Sequence, residues 1–268
     1  MSDDIPTTVR LERPREGVVV LTLDRPDRYN AMTATMFAEL ESTARLLDRE
    51  PGLRVLVLTG AGTAFCAGYD LADAAKLPEL GALGMLDLQE RASRALAAVR
   101  GIRVPVIAAV NGAAAGGGLA LALAADIRLA SPRAKFVPSF VTIGLSAGDL
   151  GTSWLLPRLI GPAAAAEFSY TARTMGADEA ERLGMVNRVV ADDKLLAAAL
   201  EMAEQICANS PGGVQLSKKA LQANMEVSSY AAALELENRG QALLTRSDDM
   251  TEALDAFRAK RAPIFTGR

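Results

Sequence analysis

The sequence predicts an α/β fold, with a largely parallel sheet of βαβ units first and a helical part after it. Two observations carry this. Short aliphatic runs such as Val55–Leu58 and Val106–Val110 alternate with stretches of helical periodicity as far as about Trp154. Beyond Trp154 nearly every segment repeats its apolar residues at helical spacing. In chain order, Thr7–Glu12 and Val18–Leu23 flank a Pro14/Gly17 turn and read as a hairpin. From Thr33 a helix runs until Pro51-Gly52 ends it. Val55–Thr59 is a buried strand, Gly60–Asp70 a loop, and Leu83–Val99 an amphipathic helix closed by Gly101. Val106–Val110 is a strand that leads through Asn111–Gly118 into Leu119–Ala125, a segment apolar all round and therefore internal. Ile127–Ala130 and Phe136–Val137 are further strands. Helices follow at Trp154–Ile160, Ala163–Ser169, Asp178–Leu183, Leu195–Asn209, Val214–Val227, Tyr230–Thr245 and Met250–Ala259, with one strand at Asn187–Val190. Gly184 suits the position just past a helix end. The division expected is an α/β core over residues 1–195 and a helical region over residues 196–268.

A chain of 268 residues can bury a sizeable core, and with half its residues hydrophobic but 4% aromatic that core is aliphatic. Its apolar runs are too short to cross a bilayer, which takes about 20 residues. Met1–Pro6 carries two acids and no apolar run, so no signal peptide is expected there. Cys66 and Cys207 make neither a disulfide framework nor a metal cluster, which suits a reducing cytoplasm. A net charge of −3 argues against nucleic acid as a partner. The chain contains no histidine, which excludes Ser-His and Cys-His catalysis and most zinc mechanisms. Any general base is then Asp, Glu, Lys or Tyr.

Two loops rich in small residues follow strands. They are Gly60-Ala-Gly-Thr-Ala-Phe-Cys-Ala-Gly-Tyr-Asp70 and Asn111-Gly-Ala-Ala-Ala-Gly-Gly-Gly118. Small residues let a ligand approach the backbone, and a helix start offers free N–H groups at the positive end of a dipole. The same residues would equally serve tight helix–sheet packing. Dinucleotide binding fails because Phe65 stands where the third glycine belongs. A phosphate loop fails because Gly118-Leu119 stands where lysine and a hydroxyl belong.

Ala64-Phe-Cys-Ala-Gly-Tyr-Asp-Leu71 and Ala109-Val-Asn-Gly-x3-Gly-Gly-Gly118 resemble the two oxyanion-hole loops of the crotonase (enoyl-CoA hydratase/isomerase) superfamily. The likeness continues in Arg25–Ala31, Ala125–Arg128, Ile143–Leu145, Leu156–Arg158, Ala180–Val186 and Lys260–Phe265, and so spans nearly the whole chain in order. The resemblance implies a spiral of ββα units, a C-terminal helical trimerisation region, and a homotrimer or dimer of trimers. It implies an acyl-CoA substrate, with coenzyme A as part of the substrate and no separate cofactor or metal. Carried over, Ala67 and Gly117 donate N–H groups to the thioester oxygen. Gly68, Tyr69 and Asp70 line the entrance, Arg28 lies on the coenzyme A path, and Phe257 and Lys260 reach a neighbour's adenine site. Two preorganised donors would stabilise the negative charge that builds on a thioester oxygen, each being worth about 3 kcal/mol.

The chain departs from the family at the two glutamates with which a hydratase handles water: Ala120 and Phe140 stand there, Phe140 being left as a substrate contact. Asp149, in Gly148-Asp-Leu-Gly-Thr152, resembles the aspartate of dienoyl-CoA isomerases and would carry a proton between acyl carbons. Its other reading is a cap for the helix that follows. The leading expectation is double-bond isomerisation. A true hydratase, an acyl-CoA hydrolase or C–C lyase, and a silent acyl-CoA-binding protein stand as alternatives. Cys66, without a base beside it, reads as a small buried hydrophobe.

Overall fold

The protein is described by a computed structural model covering residues 6–268, so the segment read for a signal peptide lies largely outside the described residues. The expected hairpin forms: β1 (Val9–Arg15) pairs antiparallel with β2 (Val18–Leu23). The chain then repeats one unit, a strand in each of two sheets followed by a helix. β3 (Val55–Gly60) and β4 (Ala64–Cys66) precede α2 (Leu71–Ala74) and α3 (Gly81–Gly101), with α1 (Ala34–Asp48) already packed on the hairpin side. β5 (Val106–Val110) and β6 (Ala113–Ala115) precede α4 (Gly117–Ala124). β7 (Ile127–Ala130) and β8 (Lys135–Val137) precede α5 (Thr152–Ile160) and α6 (Pro162–Thr171). β9 (Met175–Gly176), α7 (Ala177–Arg182) and β10 (Arg188–Val189) close the spiral, and α8 (Leu195–Cys207), α9 (Pro211–Asn224), α10 (Tyr230–Leu244) and α11 (Asp248–Arg258) follow. The larger sheet has the order β1-β2-β3-β5-β7-β10 and the smaller β4-β6-β8-β9. From β2 to β10 the larger sheet is parallel, as the alternation of strands and helices required.

The uninterrupted apolar runs of β2, β3 and β5 are explained by cover on both faces. Val19, Leu21 and Leu23 alternate inward with Leu56 and Leu58 to meet α1, α3 and α4. Val18, Val20, Val55, Val57 and Ile107 face the other way, onto Leu195, Ala199 and Ala203 of α8. Each fully buried leucine of this kind contributes about 1.5–3 kcal/mol. Thr33 caps α1, its hydroxyl accepting from the Met36 N–H at 3.2 Å, and Gly184 (φ 84) follows α7 in the left-handed conformation its position demanded.

Two segments expected to be plain loops hold strands instead, β4 and β6. Three residues of alanine, phenylalanine and cysteine carry no period, so nothing local marks them. They are strands because each finds its neighbour in the smaller sheet.

α9 is tied to the core through a buried cation. Lys218 Nζ lies 2.7 Å from an Asp126 carboxylate oxygen and donates to the Val104 carbonyl at 2.9 Å, while Gln222 donates to the other Asp126 oxygen at 3.2 Å. Lys218→Met leaves Asp126 without its cation at a site still partly open to water. The expected cost is therefore about 2 kcal/mol, below the 3–5 of a fully buried pair. Denaturant unfolding checks it, and an unchanged midpoint would mean that α9 is held by packing alone.

Candidate active site

The cleft begins with a clamp between two backbone segments. Tyr29 and Asn30 both adopt left-handed conformations (φ 51 and 56), turning the chain after Arg28 so that residues 29–32 run beside residues 67–70. The fully buried Asn30 locks that turn: its Oδ1 accepts from the Arg25 N–H at 2.9 Å, and its Nδ2 donates to the Ala61 and Ala64 carbonyls at 2.9 Å each. The Ala67 N–H then donates to the Tyr29 carbonyl at 3.0 Å, the Met32 N–H to the Gly68 carbonyl at 2.7 Å, and the Asp70 N–H to the Met32 carbonyl at 2.8 Å.

This pattern corrects one expectation. The Ala67 N–H is committed within the fold and is not free for a ligand. Tyr69 is the bridge residue of the pair Met32–Tyr69, so its own N–H points to the opposite side. Among the described residues that N–H has no partner. The Gly117 N–H, in the first turn of α4, has none either, as a helix start leaves it. Tyr69 and Gly117 thus each bring an unpartnered N–H to the cleft.

They meet because the turns that carry them nest at backbone contact. A Cβ on Gly118 would stand 2.1 Å from the Cys66 carbonyl oxygen. Gly68, at φ +91, faces Gly117, and a Cβ on it would stand 2.7 Å from the Ala115 carbonyl oxygen and 3.4 Å from the Gly117 nitrogen. The tight-packing reading of the glycines and the ligand-approach reading thus describe one arrangement.

The cleft has a volume of about 640 Å³ and is mostly apolar. Arg28, Ala67, Gly68, Tyr69, Asp70, Gly117, Phe140 and Asp149 all line it. Phe257 and Lys260 do not: they lie at the end of α11, exposed, and within this chain nothing brings them to the cleft. The Tyr69 ring stacks almost parallel on Phe37, centroids 6.2 Å apart. Asp70 is structural at the mouth. It caps α2 through the Ala72 N–H at 3.0 Å and pairs with Arg25 at 3.1 Å and more loosely with Arg28 at 4.0 Å. Burial raises its pKa, but the Ala72 N–H and the two arginines outweigh burial and hold it below the ordinary carboxylate value. Cys66 is wholly buried and its thiol is pushed up to about 12, so it is no nucleophile, as expected.

Asp149 stands across from the donors. Leu150, next to it, approaches Gly117 so closely that its Cδ1 lies 3.5 Å from where a Gly117 Cβ would be. Leu150 (φ 46) and Gly151 (φ 84) are both left-handed, a sharp turn that sends the Asp149 side chain into the cleft rather than onto α5. The capping reading fails: the residue that caps α5 is Gly151, no side chain caps the helix, and it is the Asp149 backbone carbonyl that accepts the Thr152 N–H, at 2.8 Å. Burial lifts the Asp149 pKa, opposed by hydrogen bonds from Gln89 Nε2 and the Leu150 N–H. Ala120 is fully buried in α4, and Phe140 packs beside Gly116, its ring 3.8 Å from where a Gly116 Cβ would be. Neither residue offers a carboxylate. The sequence reading missed Gln89, although a lone polar residue on the apolar stripe Met85, Leu88, Ala92 was there to be seen.

A spiral of ββα turns, with its cleft where the strand ends of two sheets meet a buried helix start, is a crotonase fold. The chain matches the family model described as enoyl-CoA hydratase/isomerase over residues 13–268. It is 40% identical over 265 residues to the probable enoyl-CoA hydratase EchA12 of Mycobacterium tuberculosis, covering 96% of this chain and 92% of that one. It is 37% identical over 263 residues to the 1,2-epoxyphenylacetyl-CoA isomerase of Escherichia coli, covering 96% and 98%. A solved probable enoyl-CoA hydratase/isomerase of Mycobacterium abscessus superimposes with a TM-score of 0.90 at 36% identity, covering 98% and 100%. The chain belongs to the enoyl-CoA hydratase/isomerase family and is an enzyme of acyl-CoA chemistry. Among the described residues no cluster of His, Cys, Asp and Glu could hold a metal, and no helix is long and apolar enough to cross a membrane.

The two glycines separate on substitution. Gly117→Ala is tight only against the Met32 sulfur at 3.1 Å, on a flexible side chain, with Leu150 Cδ1 at an ordinary 3.5 Å, and should fold. Gly118→Ala drives a methyl into the Cys66 carbonyl and should yield no stable protein. Circular dichroism melts of both check this; equal melting temperatures would mean the two turns are not in backbone contact.

Proposed function

We propose that this enzyme moves a double bond along an acyl-CoA, with Asp149 as the proton carrier and the Tyr69 and Gly117 N–H groups as the oxyanion hole. The observation that supports this reading is a carboxylate, its pKa raised by burial, lining an apolar cleft together with two unpartnered backbone N–H groups, while Ala120 and Phe140 offer no carboxylate. The Asp149 carboxylate takes a proton from C2 of a 3-enoyl thioester. The C–H pair moves into a dienolate, and the negative charge reaches the thioester oxygen, where the two donors and the positive end of α4 hold it. Protonated Asp149 returns the proton to C4, leaving a 2-enoyl thioester and restoring the carboxylate. No water enters, in keeping with Ala120 and Phe140. The Escherichia coli relative named as an isomerase supports this; relatives named as hydratases supply the competing reading.

The proposal extends to a homotrimer or dimer of trimers in the cytoplasm, with residues 196–268 as the oligomerisation region. Exposed apolar side chains such as Leu221, Tyr230 and Phe257 on α9, α10 and α11 support it. Light scattering should return a trimer or hexamer, and a clean monomer at micromolar concentration would overturn it.

Asp149→Asn tests the chemistry. Isomerisation of 3-hexenoyl-CoA, and exchange of its C2 protons in deuterium oxide, should fall about 10²–10⁴-fold with acyl-CoA affinity kept. Because the folded carboxyl titrates above its ordinary value and works as the anion, activity is lost as pH falls through that raised value, earlier than for a free aspartate near 3.9. Hydration of crotonyl-CoA at ordinary enzymatic rates, or full turnover in Asp149→Asn, would end this reading.

A further inference from the structure

We infer that Gln89 is a positioning residue for the reaction: it anchors one oxygen of Asp149 so that the other alone meets the substrate. The inference rests on Asp149 as the proton carrier. Gln89 lies on α3, on the face that Met85, Leu88 and Ala92 present to the cleft at helical spacing. It is the polar member of that face, and its Nε2 donates to Asp149 Oδ1.

A carboxyl group turns broadly about its last torsion and has two equivalent oxygens. For a base that must take a proton at one carbon and deliver it two carbons on, such freedom misplaces the working oxygen. An anchor on Oδ1 removes it, and the anchor holds in both protonation states. The proton goes to Oδ2, Oδ1 becomes the carbonyl oxygen, and a carbonyl oxygen still accepts from an amide. The anchor also opposes burial, keeping the carboxyl ionised at a higher fraction than the apolar cleft alone would allow.

No charge competes for this role. The other titratable groups lining the cleft are Asp27, Arg28, Tyr29, Tyr69 and Asp70, with Arg28 and Asp70 facing one another at the mouth. On α3 itself Asp87 pairs with Arg91 at 2.9 Å and Glu90 with Arg94 at 3.7 Å, all away from the cleft. On α5, Arg158 lies over the Trp154 ring. The causes that shift Asp149 are burial and its two hydrogen bonds, with no charged neighbour among them.

The test is the pH profile of 3-hexenoyl-CoA isomerisation in Gln89→Leu and Gln89→Lys, with melting temperatures taken alongside. Gln89→Leu deletes the donor at similar size: kcat falls about 10–100-fold, KM is kept, and the acid limb moves to higher pH. Gln89→Lys restores a donor and adds a cation, so the acid limb moves below that of the native enzyme. A merely structural glutamine would not move the limb in opposite directions. Native acid limbs in both folded variants, with Asp149→Asn inactive, would overturn the anchor and leave the base standing. Full proton exchange in Asp149→Asn would bring down both.

Discussion

The structure depends on one close approach, the packing of the Cys66–Gly68 turn against the Gly116–Gly118 turn with backbone against backbone. That contact pairs β4 with β6 and so seeds the smaller sheet. It also sets the Tyr69 N–H and the Gly117 N–H at one cleft. A consequence follows for α4. Because its first turn must lie under another backbone, the whole helix is drawn inside, and all of its residues are buried. A helix so enclosed carries no charge cheaply, since an unpaired ion there would face several kcal/mol of desolvation. Alanine at position 120 is what such a helix tolerates best when no partner is provided. Asp149, a cleft carboxylate, is carried outside α4 on the Gly148–Gly151 turn.

Charge is sorted along the cleft by the same geometry. At the mouth, Asp70 is held ionised by the Ala72 N–H, Arg25 and Arg28, and its role ends with bracing the clamp. Deeper in, burial is the first cause at every titratable group: it raises Cys66, Tyr69 and Asp149 alike. Of these Asp149 alone retains an ordinary value low enough to serve as a base once raised. Cys66 has been moved out of reach of neutral pH. In a chain with no histidine, Asp149 is a carboxylate whose pKa is raised by burial, the shift by which a site without an imidazole can gain a base.

Much of the fold was legible because the features that built it are long. β2, β3 and β5 are aliphatic runs covered on two faces, and the helices from α8 to α11 repeat their apolar residues over several turns. The smaller sheet was not legible from local pattern. Ala64–Cys66 and Ala113–Ala115 become strands through each other, and only the spacing of glycines around them hinted at it. Asp149 was legible by likeness, and the structure adds what decides its direction: Leu150 and Gly151 both take the left-handed conformation, which sequence statistics would assign to the glycine alone.

The first donor of the proposed oxyanion hole shows why a motif can name a loop and still miss the atom. Ala67, Gly68 and Tyr69 are consecutive and their side chains say nothing about which N–H is free. The answer lies some forty residues earlier, in Tyr29 and Asn30. Their left-handed turn presents the Tyr29 carbonyl to Ala67 and the Met32 backbone to Gly68 and Asp70. Once those bonds are made, alternation of an extended chain leaves the N–H between them facing the cleft. The donor is thus selected by subtraction, and the residue that performs the subtraction is Asn30. Its side chain ties Arg25, Ala61 and Ala64 with no exposure to solvent. A left-handed turn at two residues without a glycine is costly by about 1–3 kcal/mol each. The three hydrogen bonds of Asn30 are what hold it, and through it they fix the N–H proposed to meet a thioester oxygen.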